Sequence, residues 1–439
     1  MNKAFLAVPC GLLFATIALA DDWPNFRGPD LNGISREKGL LKAWPKGGPK
    51  LAWTFKDAGL GHSSVSIAKG VVYTLGTDAK FTEEYVIAID EKSGTELWRA
   101  RVGPLYTYQG NAYGDGPRST PTVDGHLLFA LGGLGDLVCL DAAKKGKEVW
   151  RVSLPKDLDS EIMDKYGYSE SPLVDGDLLI CTPGGKNGTL AALDKKTGKV
   201  QWRSAKLTNS ATFSSPIVAT LGGVRQYIQT SYNSKAGDIQ GVLTGFSPKD
   251  GAVLWSEKIL GGANDGISAT PLVSKNSVYV SSGFGGGCHL FEISKKQIAT
   301  EKYKKLLWKK VKNRQGGVVL IDGHVYGHSE NRMWFCQNLQ SGRLEWDERI
   351  TLSCESGGIT AAGGQLYLYT DEGVAALVNP NPEAGELKIV SSLTIPIRSK
   401  IPQQRLTSRN SKVWAIPVVA NGNLYLRDHE YIFAFKLTK

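Results

Sequence analysis

The chain is poor in the residues that build reactive centres: 6 cysteines, 6 histidines and 3 methionines in 439 residues. No two cysteines are adjacent, and none stands in a Cys-x-x-Cys-His string, so covalent haem attachment is excluded. Past Cys10 there remain Cys139, Cys181, Cys288, Cys336 and Cys354. An odd number spread singly is no disulfide framework, although one or two bridges between neighbouring segments stay open in an oxidising compartment. His324 and His328 are four apart but fall in a strand-and-turn segment rather than on a helix, so their spacing does not read as a ligand pair. No metal site is expected. Beyond residue 20, no apolar run approaches the roughly 20 residues of a membrane-spanning helix. Acid is also short, 42 Asp and Glu against 52 Lys and Arg, and the formal charge of +10 weakly favours anionic partners. The surplus concentrates only in Lys295 to Arg314, where nine basic residues face one acid, Glu301. The segment reads as the solvated edge of an extended hairpin, or alternatively as a patch for anionic lipid, polysaccharide or nucleic acid. No aromatic ladder accompanies it, and nucleic acid is not expected as a partner.

The first twenty residues differ from the rest. Lys3 supplies a positive start, Ala4 to Leu19 is apolar, and Ala18-Leu19-Ala20 fits a small-x-small cleavage site before Asp21. Residues 1–20 therefore read as a secretory signal peptide, which implies a periplasmic or secreted protein. Cys10 has only a stub of apolar sequence before it and reads as part of that signal.

What the chain does have is a period. A tryptophan follows a glycine by four residues at Gly94–Trp98, Gly146–Trp150, Gly198–Trp202, Gly251–Trp255 and Gly342–Trp346. Counting from Trp53 and including Trp308, successive tryptophans are 45, 52, 52, 53, 53 and 38 residues apart. Such spacing over the whole length indicates a repeat architecture. Within one unit, Ser171–Val174, Leu178–Cys181, Thr189–Leu193 and Val200–Ser204 are short apolar runs separated by Asp-Gly and glycine-rich turns. Those are hairpin signals, and four antiparallel strands per unit make a propeller blade. Asp90, Asp194 and Asn338 each precede a turn glycine by four residues, as short side chains that cap such turns do. Cys139 and Cys336 occupy the slot of Ala88 and Ala192, a small buried strand position.

Opening strands at Ser63, Ser119, Ser171, Ser215, Ala269, Gly316, Gly357 and Ala415 count eight blades. The last lacks a fourth strand, whereas Lys50–Phe55 is a fourth strand without a blade, and pairing them closes the ring. The expectation is an all-β, eight-bladed propeller over residues 49–439, preceded by an arm, residues 21–48, packed on its outside. Trp53, Trp98, Trp150, Trp202, Trp255, Trp308 and Trp346 are expected to dock structurally between neighbouring blades. Three departures stand out: an enlarged hairpin at Ser294–Leu307, Asn379–Pro382 in place of a tryptophan unit, and a tyrosine-rich insertion with Tyr106, Tyr108 and Tyr113. The last is the candidate lid or recognition loop.

The units Ala88-Ile-Asp-Glu-Lys-Ser-Gly-Thr-Glu-Leu-Trp98 and Ala192-Leu-Asp-Lys-Lys-Thr-Gly-Lys-Val-Gln-Trp202 resemble the pyrroloquinoline-quinone (PQQ) repeat. The resemblance runs from Pro49 to Leu437, and Trp23–Pro29 with Gly114–Pro121 are similar to exported bacterial PQQ-like propellers. That family includes quinoprotein alcohol dehydrogenases and an envelope scaffold of the outer-membrane assembly machinery. The dehydrogenases imply PQQ between a tryptophan and a disulfide of adjacent cysteines, calcium on acidic and amide side chains, and an aspartate base. This chain lacks the cysteine pair.

Because blades begin at the central channel, the residues entering each first strand should line one mouth of it. They are His62, Arg118, Ser169, Phe213, Ser268, Arg314, Glu355 and Trp414, with Glu170 one position on in its repeat. Arg118 and Arg314 would hold a carboxylate or quinone oxygen, His62 or Glu170 would accept a proton, and Trp414 or Phe213 would stack. Mutual pairing that merely closes the channel end is the competing reading of the same residues. Fold alone does not decide function. The expectation is a non-catalytic, monomeric envelope scaffold or binding protein without cofactor, its partner a protein, peptide or glycan. The alternative is a PQQ- and calcium-dependent alcohol or sugar dehydrogenase.

Overall fold

In a computed structural model the described residues are 22–107, 114–234, 240–261, 267–283, 285–401 and 412–438. Residues 1–20, read above as a signal peptide, and Tyr108 and Tyr113 lie outside them. Among the described residues the strands sort into eight sheets, each a blade of four antiparallel strands, two of them with a fifth strand added. Blade 1 runs through Ser66–Ala68, Val71–Thr77, Glu83–Asp90 and Glu96–Pro104, innermost strand first, and the order repeats round the ring. Blade 8 takes its outermost strand from the other end of the chain. Leu51–Phe55 pairs antiparallel with Tyr431–Lys436, so the ring is closed by residues that open the propeller sequence.

The tryptophan spacing has a geometric cause. Each of the six tryptophan-bearing outer strands carries a bulge just before its ring, as between Glu148 and Trp150, and the ring then faces a small residue of the third strand. The facing pairs are Trp98 with Ala88, Trp150 with Cys139, Trp202 with Ala192, Trp255 with Gly245, Trp346 with Cys336 and Trp53 with Ala434. Several rings then close against the turn of the next blade. At Gly146, where φ is +74°, a Cβ would stand 2.5 Å from the Trp98 ring. The Trp53, Trp150 and Trp346 indoles donate to Glu91, Lys195 and Asn381 carbonyls of the following blade.

Blade 5 departs from this scheme. Its outer strand is only Ala299–Glu301, and Trp308 sits on the short helix Lys305–Trp308, 4.8 Å from the His289 ring. The docking position belongs instead to Tyr303, whose ring packs on Gly342 and whose hydroxyl donates to the Leu339 carbonyl at 2.7 Å. The five described cysteines are all buried and unbridged.

The arm does not stay on the outside. Trp23 exchanges backbone hydrogen bonds with Ile67 of blade 1, and the Val123 amide of blade 2 donates to the Pro24 carbonyl. Phe26 wedges among Thr122, Ser171, Ser215 and Thr270 of blades 2 to 5, leaving a gap of about 10 Å3, room for one water at most. Arg27 reaches the Val318 carbonyl of blade 6 and the Asn32 carbonyl, and Ile34–Ser35 pairs parallel with Ala361–Ala362 of blade 7. Glu37 accepts from the Asn421 and Gly422 amides of blade 8. The arm thus meets all eight blades in order on their inner side, mostly beyond the far ends of the first strands, with Phe26 reaching in as far as the strand starts Ser171 and Ser215. Only its later part lies outside, with Trp44 packed on Tyr367 and Leu393 of blade 7.

Candidate functional site: the channel mouth

The entries to the inner strands are tied together by a hoop of hydroxyls. The Ser64 amide donates to Thr120 Oγ1, the Thr120 amide to Ser171 Oγ, and the Ser171 amide to Ser215 Oγ, at 2.9 to 3.1 Å. One blade's backbone is therefore satisfied by the next blade's side chain, which explains the serines and threonines at blade starts in a wall that excludes water. The predicted mouth residues sit immediately before this hoop.

Their surroundings divide into separate clusters. His62 is buried, its ring 4.9 Å from Trp414 and 4.9 Å from His429. Burial pushes the His429 imidazole down to about 4, so that ring is neutral at ordinary pH. Arg118 lies over the Tyr106 ring at 4.8 Å and donates to the Tyr166 and Gly114 carbonyls. Beneath it Glu84 accepts from the Tyr106 and Gly133 amides at 2.9 and 2.8 Å. Desolvation still raises that carboxyl to about 7. Phe213 meets Tyr166 edge-on at 6.3 Å.

Glu170 is buried in blade 3, where Thr182 N donates to it at 2.6 Å and Gln229 Nε2 at 3.3 Å. Burial raises it to about 7, and the hydrogen bonds only partly offset this. Across the ring, Glu355 is exposed and paired with Lys412, which also reaches the buried Asp371 at 3.1 Å. Lys412 holds Glu355 below its usual range. Arg314 stands 3.8 Å from Glu330, which Lys312 approaches at 3.7 Å.

The structure thus brings His62 to Trp414, and Phe213 to the tyrosine whose carbonyl Arg118 uses. Arg118 and Arg314 are each engaged locally, as are Glu170 and Glu355. Sequence reasoning missed Glu84, His429, Lys412 and Asp371. His429 and Asp371 come from hairpin turns, Lys412 from the strand-linking segment after residue 411 and Glu84 from the start of the third strand of blade 1, and no repeat position marks them. Among the described residues no group of three or more His, Cys, Asp or Glu side chains is placed to hold a metal ion.

Comparison with known proteins adds the family. The profile described as "Outer membrane protein assembly factor BamB" matches residues 82–348, well over half of the chain. No curated protein matches the sequence. Among solved structures, BamB from Moraxella catarrhalis superposes with a TM-score of 0.59 at 14% identity, covering 88% of this chain and 99% of that one. A quinohemoprotein alcohol dehydrogenase from Comamonas testosteroni gives 0.65 at 12% identity over 95% and 81% of the two chains. A europium-containing methanol dehydrogenase gives 0.61 at 13%, over 85% of each. At such identities these likenesses speak for the fold alone. Repeat, ring and profile match agree: the chain belongs to the PQQ-like propeller family whose profile carries the BamB description.

Proposed function

We propose that the protein is a non-catalytic binding or scaffold component of the bacterial envelope, with no resident cofactor. The observation that carries this reading is the state of the channel mouth. The groups that would grip a quinone or move a proton are spent on neighbours: Arg118 on two backbone carbonyls, Glu170 on Thr182 and Gln229, and Glu355 on Lys412. A cofactor site keeps donors aimed into an empty space, whereas a closed ring end satisfies them. The family description supports the same reading. Scaffold propellers work through loops and blade edges, which leaves the channel free to serve stability.

A PQQ- and calcium-dependent dehydrogenase is the second reading, favoured by the fold shared with the alcohol and methanol dehydrogenases. Calorimetric titration of PQQ with calcium into the chain lacking its leader, followed by dye-linked alcohol oxidation, separates the two. The expected result is no binding heat and no turnover. Micromolar binding that is lost in Arg118→Ala would overturn the scaffold reading.

A further inference from the structure

The basic segment singled out in the sequence forms one wall of a groove on the propeller's flank. Blade 5 contributes the helix Lys305–Trp308, and blade 6 contributes the turn between its third and fourth strands. Between them lies a cavity of about 640 Å3. Leu306, Leu307 and Leu344 line its apolar part, and Lys304, Lys310 and Arg343 stand on its rim. The walls are anchored from below. Tyr303 bonds the Leu339 carbonyl across the blade boundary, and the Trp308 indole donates to the Tyr303 carbonyl at 3.2 Å.

Two properties of this groove suit it to a charged and partly apolar partner. Leu306 is 70% exposed, a large apolar side chain left in water beside its half-buried neighbour Leu307. The rim cations are also uncompensated: nearby Lys302 pairs with Glu292 at 2.8 Å, yet among the described residues no carboxylate pairs with Lys304, Lys310 or Arg343. The adjoining cavity of about 250 Å3 shows the contrast, because there Lys312 has Glu330 and Arg349 has Asp347.

We propose that this groove docks an extended acidic peptide segment bearing an aliphatic side chain, supplied by an envelope protein. The proposal rests on the binding-protein reading above and gives it a partner chemistry. Three free cations on a concave rim complement carboxylates, and the leucine floor takes an apolar anchor that only a side chain can insert. A bilayer presents a plane and would meet the flank's convex parts rather than the floor of a groove. Bases of a nucleic acid would need an aromatic platform, and no aromatic ring lines the cavity.

The test is fluorescence anisotropy with a labelled peptide, (Asp-Leu-Glu)4, titrated into the full chain at 50 and 300 mM NaCl. Saturable binding is expected, at least tenfold weaker at high salt and in the triple variant Lys304→Glu/Lys310→Glu/Arg343→Glu. Leu306→Asp should weaken it several-fold, and a (Asp-Gly-Glu)4 peptide should bind at least tenfold worse. Circular dichroism checks each variant, with the three glutamine substitutions as the milder set should reversal disturb folding. Absence of binding, or equal binding by the triple variant, overturns the proposal. So does variant-sensitive binding of phosphatidylglycerol vesicles or an oligonucleotide that the peptide fails to displace. PQQ turnover would sink the scaffold reading whatever the groove does, whereas a silent groove without PQQ binding sinks this proposal alone.

Discussion

The two ends of the central channel are closed by different means. At one end a single stretch of chain, residues 23–37, lies against eight inner strands and seals with Trp23, Phe26 and Arg27. At the other end each blade contributes its own residue, and closure comes from separate local pairings such as Glu170 with Thr182 and Lys412 with Glu355. The floor is one continuous packed object, so damage there is shared by the whole ring. The mouth is modular, and a change in one blade should stay in that blade.

Breaking the floor should cost most. Trp23 is 2% exposed and belongs to the cluster of Trp53, Phe55, Ile67 and Val418 that joins blades 8 and 1. Trp23→Ala should lower unfolding stability by about 3–5 kcal/mol in urea denaturation, whereas the same change in a surface tryptophan would not. Arg27→Ala comes next. Arg27 is buried, and desolvation lowers its pKa to about 10. Removing it strips the Val318 and Asn32 carbonyls of a donor, for a loss of about 2–3 kcal/mol by the same assay.

At the mouth the sign reverses with pH. The Glu170 carboxyl has its folded pKa raised to about 7 from 4.5, so it favours folding fully only below 4.5. That contribution is lost as pH rises through 7, where the folded chain must hold a buried carboxylate. Glu170→Gln should therefore melt above the parent at pH 8, by up to about 2 kcal/mol of stability, and the gain should vanish at pH 5. An equal effect at both pH values would refute the titration account. The smallest change is expected for Glu355→Gln, an exposed partner whose loss should stay below about 1 kcal/mol and fade further in 0.5 M salt.

The parts legible in the sequence are those that recur. Gly146–Trp150 and its sisters announce themselves because bulge, ring and turn must all return at the same offset in every blade. Trp308 misleads because blade 5 abandons that offset. Its third-to-fourth-strand turn has Gln297 at φ +57° where the sisters keep glycine, and its outer strand stops at Glu301, leaving Tyr303 to dock. The path of the arm was not legible, since it makes about one contact per blade and has no period of its own. The strand entries could be listed by position, and the structure does place His62 beside Trp414. What each charge pairs with depends on distant partners such as Glu84 and Gly133, 49 residues apart, and on Asp371 and Lys412, 41 apart, which no local pattern connects.

The arm also has a consequence for the order in which the molecule is made. Residues 23–37 leave the ribosome before any blade, yet their last partners, Asn421 and Gly422, follow Glu37 by 384 and 385 residues. Until those partners exist the segment has nowhere complete to settle, and its contacts span several hundred residues, the kind of long-range pairing that slows folding. Protection of Arg27 and Arg36 from trypsin during refolding would then be acquired late, together with the pairing of Leu51–Phe55, and would serve as a clock for ring closure.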